Sequence, residues 1–268
     1  MENQEQIKKL REVIAHSHNI VAFTGAGFST ESGIKDFRGT GGIFTAGKER
    51  TNHPITTESG IPDFRSAGGV YGRQYPHPPE VMVSHSFFMA HPEEFYDFYR
   101  REMVYPKAEP NAAHRKLAEL EAQGRVTAVV TQNIDGLHQM AGSKQVLELH
   151  GSIHRNRCMR CGRRYGLEAI LDTEGVPRCE CGGIIKPEVV LYEEALDQRT
   201  LTAAVDAISQ ADTLLIAGTS LAVYPAAGLI RYFEGDCLAL VNLSPTPMDQ
   251  KADLLIRGKI GEVLSQIQ

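Results

Sequence analysis

The residues of this chain that most plainly could do chemistry are four cysteines in two close pairs. Cys158 and Cys161 are separated by two residues, Cys179 and Cys181 by one, and seventeen residues lie between the pairs. This spacing is close to that of a zinc ribbon, in which two tight turns place four thiolates tetrahedrally around one ion. Four thiolates leave no coordination position open, so the spacing predicts one structural Zn²⁺. Four unrelated thiols are the alternative, and pairs at this spacing rarely arise for another reason.

A second group of candidates follows the first short apolar run, Ile20–Thr24. Gly25, Ala26 and Gly27 could form a turn whose backbone amides approach a pyrophosphate at the end of a first β-strand. The third glycine of the usual dinucleotide fingerprint is absent, and Thr30 stands in its place. A plain strand-to-helix turn therefore stays an open alternative for this segment taken alone.

Further candidates follow four other short apolar runs. They are Gln132, Asn133, Ile134 and Asp135 after the second run, His150 after the third, Gly218, Thr219 and Ser220 after the fourth, and Asn242 and Leu243 in the fifth. Each site taken singly is better explained as a capped strand end or a satisfied histidine. Because the carboxyl ends of parallel strands meet at one edge of a sheet, five such ends predict one ligand-binding crevice.

The elements that must position these residues alternate between strand-like and helix-like patterns. The apolar runs Ile20–Thr24, Val126–Gln132, Val146–Leu149, Thr213–Ala217, Leu238–Leu243 and Ala252–Ile256 predict strands. Helical patterns flank them, from an amphipathic N-terminus to a last helix that begins at Ile260. This alternation predicts a parallel sheet with helices on both faces. The stretch from His154 to Pro187 has too little apolar periodicity for a core of its own.

An internal repeat lengthens the segment that follows the first glycine turn. Thr30–Phe44 and Thr57–Tyr71 match at ten of fifteen positions with an offset of 27 residues. One repeat cannot build a solenoid, which needs about three stacked units or more. The duplication is therefore expected to extend one loop.

The composition limits the classes of function. The chain of 268 residues has a formal net charge of −5, which argues against a nucleic-acid binder, although a local basic patch between Arg155 and Arg164 stays open. The N-terminal residues lack an apolar run long enough for a signal peptide or a membrane span. We therefore expect a cytoplasmic protein that binds no membrane, and a monomer.

The motifs together resemble one family. FTGAGFSTESGI, DFR, TQNIDGLH, LHGS, the four-cysteine module, KPEVVLYEE, GTSLAVYPAA and VNLSPTP occur in the order typical of sirtuins, from about residue 20 to 258, and the chain is similar to the bacterial members. The resemblance implies an α/β fold, a Rossmann-like doubly wound parallel sheet with a smaller zinc-ribbon domain. It also implies a single catalytic unit over residues 1–268. The large domain would span about 1–50, 105–153 and 195–268, the zinc module about 154–190, and the duplicated cofactor loop with a helical part about 29–104.

The resemblance implies an activity, the NAD-dependent deacetylation of protein lysines. In this family the acetyl oxygen attacks the nicotinamide ribose of NAD, nicotinamide leaves, and the products are lysine and O-acetyl-ADP-ribose. The histidine that matches His150 is the general base, a role that suits an imidazole that is neutral at about pH 7. Asn133 and Asp135 resemble the other catalytic residues, which order the ribose, a water molecule and the nicotinamide carboxamide.

The ligand-binding positions implied by the resemblance lie at the strand ends, in both copies of the repeat and beside the zinc module. The cofactor-binding residues would be Gly25, Ala26, Gly27, Thr30, Asp36, Phe37, Arg38, Phe64, Arg65, Gln132, Asn133, Ile134, Asp135, His150, Gly218, Thr219, Ser220, Asn242, Leu243 and Ile260. Acyl-lysine protein substrates would bind as an added β-strand against Val189, Val190, Leu191, Tyr192, Leu221 and Val223.

The chain departs from the family pattern at the repeat. The first copy, Asp36-Phe37-Arg38, keeps the family spacing from the glycine turn but has Lys35 where proline is expected. The second copy, Asp63-Phe64-Arg65, keeps Pro62 but is displaced from the turn. Because catalytic geometry depends on spacing, the first copy is favoured as the one that serves the cofactor.

Two further departures concern the substrate. Tyr192-Glu193-Glu194 stands where many relatives carry Phe-Gly-Glu, and loss of the glycine is expected to stiffen the peptide-binding loop. The Tyr-x-x-Arg pair of succinyl-preferring relatives is absent from residues 95–101, where Phe98 and Arg101 come nearest. Acetyl or longer neutral acyl groups are therefore expected. The aromatic residues of this segment are more simply the packed face of a helix.

Two other functions stay open at this point. A protein ADP-ribosyltransferase would use the same crevice and His150, since it breaks the same glycosidic bond. A catalytically impaired NAD-binding protein would result if the 27-residue insertion blocked the crevice. A hydride-transferring dehydrogenase is disfavoured, because it would need a fuller glycine fingerprint and an acidic residue about twenty positions later.

Overall fold

The computed structural model describes residues 2–34 and 76–267. The helices are α1 (Glu2–His16), α2 (Pro79–Met82), α3 (His85–Ala90), α4 (Pro92–Phe98), α5 (Ala112–Ala122), α6 (Leu137–Ala141), α7 (Glu168–Leu171), α8 (Gln198–Gln210) and α9 (Ile260–Leu264). The strands are β1 (Ile20–Thr24), β2 (Val126–Thr131), β3 (Val146–Glu148), β4 (Gly151–Cys158), β5 (Arg164–Tyr165), β6 (Ile185–Val189), β7 (Thr213–Ala217), β8 (Cys237–Val241) and β9 (Leu254–Ile256). Short 3₁₀ helices span Ala26–Phe28, Thr30–Ser32, Ala226–Tyr232 and Asp249–Lys251, and a π-helix spans Tyr99–Met103.

Six strands form a parallel sheet in the order β3-β2-β1-β7-β8-β9. β1, β7 and β8 are buried along their whole length, as expected of strands that are covered on both faces. The strand order reverses direction between β1 and β7, whose ends place Thr24 beside Ala217. Sheets of this kind bind ligands outside the carboxyl ends of the strands at such a switch point. The predicted Rossmann-like, doubly wound sheet is confirmed.

Alternate residues of β1 face two different layers of the core. Ile20 and Ala22 pack in one hydrophobic cluster with residues of α1, α5 and α9. Val21 and Phe23 pack in a second cluster with residues of α8 and the 3₁₀ helix Ala226–Tyr232. Because successive side chains of a strand point to opposite faces, a short apolar run can anchor helices on both sides. This double anchoring fixes the end of β1, from which the glycine turn begins.

The cysteine-rich stretch forms a separate three-stranded antiparallel sheet in the order β5-β4-β6. Ile153 and Ile185 of this sheet pack with Phe88, Phe95 and Tyr96, which α3 and α4 supply. The Tyr96 hydroxyl also donates a hydrogen bond of 2.5 Å to the Ile185 carbonyl. The stretch from His154 to Pro187, which lacks apolar periodicity, thus shares a hydrophobic core with the two preceding helices α3 and α4. The aromatic residues around 95–99 are the packed face that the sequence suggested.

Helix α5 begins at a capping box that later helps to position the site. The Asn111 side chain accepts hydrogen bonds from the N–H groups of Ala113 and His114, at 2.9 and 3.2 Å. In return, the Asn111 N–H donates to Nδ1 of His114 at 3.2 Å. The box satisfies N–H groups that the first turn of a helix leaves without partners, and it fixes the His114 ring.

Of the repeat, only residues 30–34 lie within the described part of the chain. The cofactor-binding residues predicted in both DFR copies, Asp36, Phe37, Arg38, Phe64 and Arg65, lie outside the described residues. Within residues 2–34 and 76–267, no helix is both long and apolar enough to cross a membrane.

Candidate active site

The four cysteine sulfurs converge at one end of the small sheet. The four Sγ atoms all lie within 4.8 Å of one another, with Cys158 3.4 Å from Cys181 and Cys161 3.6 Å from Cys179. A tetrahedral Zn²⁺ with bonds of about 2.3 Å separates its sulfur ligands by about 3.8 Å. The predicted four-cysteine cluster is therefore present, and its dimensions fit one structural zinc ion.

Two tight turns hold the cysteine pairs. Gly162 donates from its N–H to the Cys158 carbonyl at 2.9 Å, and Gly182 does the same to Cys179 at 2.8 Å. Both glycines have a positive φ, which residues with a Cβ rarely adopt. The Tyr165 hydroxyl donates to Cys179 Sγ at 3.0 Å, and this bond, together with smaller contributions from the Cys181 N–H and the neighbouring thiols, lowers the pKa of the Cys179 thiol to about 6. A lower pKa favours the thiolate form that binds zinc.

The glycine turn after β1 packs directly against the turn after β7. A Cβ atom on Gly25 would lie 2.7 Å from Thr219 Cβ, and one on Gly27 would lie 2.9 Å from the Gly218 carbonyl oxygen. Gly218 has a φ of 62°, and a Cβ there would overlap the Phe28 amide nitrogen. These glycines are thus required by the contact between two strand ends, independently of any ligand. The interlocked turns line the switch point.

Ser29, which the sequence prediction did not single out as a site residue, joins two predicted catalytic residues. Its hydroxyl is fully buried, donates to Asp135 Oδ2 at 2.7 Å and accepts from Asn133 Nδ2 at 2.9 Å. The other carboxylate oxygen, Asp135 Oδ1, accepts from the Leu137 N–H at 2.9 Å. The Asn133 amide therefore turns its oxygen away from Ser29, and Asp135 is held by a donor on each oxygen.

A buried histidine completes the bonding of Ser29. Nδ1 of His114 accepts the Asn111 N–H, so the proton of the neutral ring is on Nε2, which lies 3.4 Å from Ser29 Oγ. His114 can thus donate to Ser29, while the proton of Ser29 itself goes to Asp135. The direction of this hydrogen-bond chain follows from the donors and acceptors at its two ends.

Two histidines pack on the Phe28 ring, with centroid distances of 4.8 Å for His114 and 5.0 Å for His138. Burial lowers the pKa of His114 to about 2 and that of His138 to about 3. His138 Nε2 lies 3.0 Å from Thr24 Oγ1 at the end of β1. Neither ring therefore brings a positive charge to the site at neutral pH.

Asp135 is a largely buried carboxyl group with opposing influences on its pKa. Burial raises the pKa, whereas the hydrogen bonds from the Leu137 N–H and the Ser29 hydroxyl lower it, and the net shift is upward. The two bonds favour the ionised form and so offset part of the cost of burying the carboxylate. Asp135 is thereby a fixed acceptor at the end of β2.

His150 follows β3 and places its ring against the end of β2. Nδ1 lies 2.9 Å from the Gln132 carbonyl oxygen, and because a carbonyl can only accept, Nδ1 carries the ring proton. Burial lowers the pKa of His150, and the bond to Gln132 opposes this shift. The ring is thus neutral at about pH 7, with Nε2 unprotonated. This is the form that a general base requires.

Hydrogen bonds also join the remaining strand ends side by side. Gln132 Nε2 donates to Thr219 Oγ1 at 3.1 Å, which links the end of β2 to the end of β7. The same Thr219 oxygen accepts the Leu221 N–H at 3.1 Å. The Gly218 N–H donates to the Val241 carbonyl at 3.2 Å, which links the end of β7 to the end of β8. The Asn242 N–H, after β8, donates to the Ile256 carbonyl of β9 at 3.1 Å. The five predicted strand ends therefore form one row across the switch point.

The other predicted cofactor residues border this row. Ser220 and Leu243 are exposed, and Ile134 is half-buried. Ile260 begins α9, and the Glu31 carboxylate fixes that end of the helix by accepting the Gly261 N–H at 2.8 Å. Residues 30–34 of the repeat are thus tied to the large sheet through Glu31.

The predicted peptide-binding residues lie on both sheets. Val189 and Leu191 are buried in the core of the small unit, which consists of the sheet β5-β4-β6 together with α3 and α4. The Val190 N–H donates to the His150 carbonyl at 2.9 Å, so this wall is joined directly to the residue that carries the candidate base. The opposite wall follows β7, where Leu221 is buried and Val223 is half-buried.

Ser29, His114 and His138 are the site residues that sequence reasoning missed. Ser29 could have been noticed because it lies within the glycine-turn motif. His114 could have been noticed because Asn111 and His114 have the spacing of a capping box. Neither signal shows that the two side chains meet, because they are 85 positions apart. Their contact depends on how α5 packs against the glycine turn.

The basic patch that the sequence left open is largely paired with carboxylates. Arg155 lies 2.7 Å from a carboxylate oxygen of Glu148, and Arg157 lies 2.8 Å from one of Glu188. Arg163 lies 2.6 Å from Glu180. These pairs reduce the positive field that a nucleic-acid backbone would require.

A parallel sheet with a glycine turn at its switch point, a neutral histidine beside it and a four-cysteine module define a Rossmann-type ligand-binding protein with a structural metal site. The Sir2 family model matches residues 53–225 of the chain. The NAD-dependent protein deacetylase of Cutibacterium acnes is 57% identical over 261 residues, covering 97% of each protein, and that of Clostridium acetobutylicum is 51% identical over 265 residues, covering 98% of each. A solved structure of Sir2 with a p53 peptide and NAD⁺ is 36% identical with a TM-score of 0.77, covering 97% of this chain and 96% of that one.

This chain therefore belongs to the Sir2 family. The resemblance that its sequence motifs indicated is confirmed.

Proposed function

We propose that this chain is an NAD-dependent protein-lysine deacetylase, which converts NAD and acetyl-lysine to nicotinamide, lysine and O-acetyl-ADP-ribose. Relatives of 51% and 57% identity that are NAD-dependent protein deacetylases support this activity. The structural observation that carries the proposal is His150, whose half-buried, neutral ring has its proton on Nδ1 and an unprotonated Nε2 beside the end of β2.

The residues at the switch point fit a dinucleotide. The glycine turn after β1 lies at the carboxyl ends of the parallel strands, where sheets of this kind bind ligands, and a ligand there would meet the ends of several strands. We assign the pyrophosphate to Gly25, Ala26, Gly27 and Thr30, the nicotinamide ribose to Gln132, Asn133, Ile134, Asp135 and His150, and the adenosine to Gly218, Thr219, Ser220, Asn242, Leu243 and Ile260. When bound, NAD supplies the glycosidic bond whose cleavage activates the ribose for attack by the acyl oxygen.

His150 acts as the general base in this proposal. Its free Nε2 takes a proton from a ribose hydroxyl group, and the Gln132 carbonyl at Nδ1–H stabilises the imidazolium that forms. The lowered pKa keeps the base unprotonated near neutral pH. Asn133 and Asp135 orient the ribose and a water molecule, and Ser29 holds both side chains in place.

The cofactor loop requires a choice between the two DFR copies. Spacing from the glycine turn favours Arg38, whereas the family match begins at residue 53 and so includes only the second copy. The second copy also keeps Pro62, the residue that the family pattern has at this position, whereas the first copy has Lys35. We therefore place Arg65 ahead of Arg38. A loss of kcat/KM confined to Arg38→Ala would reverse this assignment.

The substrate class is an acetyl-lysine, or a longer neutral acyl-lysine, within a protein. The peptide would lie between the segments 189–192 and 221–223 and bind mainly through its backbone, so that many protein sequences fit. The absence of the Tyr-x-x-Arg pair from residues 95–101 supports a neutral acyl group. We also propose a cytoplasmic location and a monomeric state, with no nucleic-acid or membrane partner.

The test is an assay of an acetyl-lysine peptide with and without NAD, in which nicotinamide and deacetylated peptide are followed together. The wild type should release both in equal amounts only with NAD, and His150→Ala should lose both while keeping its zinc. His16→Ala, at an exposed histidine of α1, is the matched control and should retain activity. Release of nicotinamide without deacetylated peptide would favour ADP-ribosyl transfer. Release of neither product from the zinc-loaded wild type would contradict the proposal.

A further inference from the structure

Glu193 has a backbone conformation that its side chain disfavours. Its φ is 75°, in the left-handed region that glycine adopts readily and other residues rarely do. Among the described residues, Leu221 is the other non-glycine residue with a positive φ, at 54°. Both lie beside the proposed peptide groove, one on each side.

The Glu193 carboxylate makes a contact that glycine could not make. Oε2 accepts the N–H of Ser86 at 2.8 Å, and Oε1 accepts the Ser86 hydroxyl at 2.9 Å. Ser86 lies in the first turn of α3, where N–H groups lack partners within the helix and a negative charge is favourable. Ser84 caps a second N–H of the same turn, that of Phe87, at 3.2 Å. Glu193 therefore caps, from a distant loop, one of three N–H groups at the start of α3, those of His85, Ser86 and Phe87.

The residues on either side of Glu193 are joined to the same short segment. Tyr192 donates from its N–H to the Val83 carbonyl and accepts the His85 N–H, both at 3.0 Å. The Glu194 carboxylate accepts from His85 Nδ1 at 2.9 Å and from Lys186 Nζ at 3.1 Å. Three successive loop residues are thus held to residues 83–86. Only the Glu193 contact has a carboxylate that bonds to α3 with both oxygens.

We infer that Glu193 is a positioning residue that fastens the peptide-binding loop to the start of α3 and so prepares the groove for the acyl-lysine peptide. The inference rests on the proposed function for the identity of the groove. A loop already held in its binding conformation loses less conformational entropy when the peptide binds. Glycine would relieve the backbone strain and release the loop, whereas glutamate keeps the loop fixed at the cost of strain.

This trade-off gives a signature that a merely structural residue would lack. E193G should keep or raise the melting temperature, because glycine suits a positive φ. The same substitution should raise KM for an acetyl-lysine peptide about fivefold, while KM for NAD and kcat stay unchanged. E193Q keeps one acceptor oxygen and should raise the peptide KM by about twofold. S86A, which removes one of the two donors, should resemble E193Q.

The experiment compares the wild type, E193G, E193Q, S86A and the control E5Q, whose exposed glutamate pairs with Lys9 on α1. Steady-state kinetics with the acetyl-lysine peptide and NAD give the two KM values. Amide hydrogen exchange of the peptide-free protein at residues 84–90 should accelerate in E193G and not in E5Q. An unchanged peptide KM, together with unchanged exchange in E193G, would overturn the inference. If the wild type shows no NAD-dependent deacetylation, the proposed function fails, and exchange at 84–90 still decides whether Glu193 holds α3.

Discussion

The switch-point site and the zinc module reach a fixed geometry by different means. At the switch point, side chains hold one another by hydrogen bonds whose direction is set, from the neutral ring of His114 through Ser29 to Asp135. In the small unit, four thiols within 4.8 Å of one another fit a metal ion, and the sheet around them shares a core with α3 and α4. The first region therefore depends on protonation states and the second on a metal.

This difference indicates how each region should fail. A hydrogen-bond chain that loses one member leaves buried donors or acceptors without partners, and the loss stays local. A metal site that loses one ligand loses a contribution to folding, because structural zinc binding is itself coupled to folding. We expect damage to the small unit to spread over its whole sheet, and damage at the switch point to reduce catalysis more than stability.

The largest effect is expected from a zinc ligand. Cys161→Ala should release zinc and expose β4, β5 and β6 to amide exchange, since the small sheet has little core of its own. The parallel sheet should keep its protection. Cys237→Ala is the matched control, because Cys237 is a buried cysteine of β8 outside the cluster. Equal zinc content and equal exchange in both variants would refute a structural role for the cluster.

The next largest effect is expected at Ser29, which bonds to both Asn133 and Asp135. Ser29→Ala leaves Asn133 Nδ2 and Asp135 Oδ2 without this partner, and should cost about 1–3 kcal/mol of stability. Misplacement of the two side chains should lower kcat/KM by up to about 100-fold. The control is Ser32→Ala, whose buried hydroxyl has no hydrogen-bond partner among the described residues. Denaturant unfolding and steady-state kinetics would show whether only Ser29 matters.

The buried histidines predict a pH dependence of stability. The pKa values of His114 and His138 are lowered to about 2 and about 3 in the folded protein, so the unfolded chain, with a pKa of about 6.5, binds more protons below that pH. The free energy of unfolding is therefore unaffected by these two histidines above about pH 6.5. Below that pH it decreases, by up to about 1.4 kcal/mol per histidine per pH unit. Urea unfolding between pH 7.5 and 5.5 measures this slope.

His138→Phe should reduce that slope while keeping an aromatic ring against Phe28. His16→Ala, at an exposed position, should leave it unchanged. An identical pH slope in His138→Phe and the wild type would mean that His138 is not a source of the dependence.

The smallest effect is expected at the capping box of α5. Asn111→Ala should cost about 1 kcal/mol of stability, the usual value for an N-cap. It also removes the bond from Asn111 Nδ2 to the Phe28 carbonyl, which is 2.8 Å long and supports the glycine turn. Asp197→Ala removes the N-cap of α8, away from the turn, and should lower stability without changing kcat/KM for NAD. If kcat/KM changed equally in Asn111→Ala and Asp197→Ala, the effect would be one of stability alone, and the account that the α5 cap positions the glycine turn would be contradicted.

The sequence predicted most of the large sheet, because strands that are buried on both faces appear as short apolar runs. Ile20–Thr24 and Thr213–Ala217 were predicted with the bounds that the structure has. The cysteine pairs were also readable, since their spacing is local. Ser29 was not found as a hub, because its partners lie at positions 114, 133 and 135 and are brought to it by packing.

The shared core of the small unit was likewise beyond sequence reasoning. The segment from His154 to Pro187 showed too little apolar periodicity, and nothing local indicated that Phe88 and Phe95 would cover its sheet. The positive φ of Glu193 depends in the same way on a distant partner, Ser86. Local sequence patterns predicted the strands and helices, whereas the contacts between segments distant in sequence could be found only from the structure.

The central claim is that His150 is a neutral imidazole at the switch point whose free Nε2 is the base of the reaction. Nitrogen-15 NMR of histidine-labelled protein at about pH 7, with His150→Gln to assign the signal, measures this directly. We predict a protonated Nδ1 and an unprotonated Nε2, because Nδ1 bonds to the Gln132 carbonyl and burial lowers the pKa of the ring. A proton on Nε2, either in the other tautomer or in the imidazolium form, would contradict the claim.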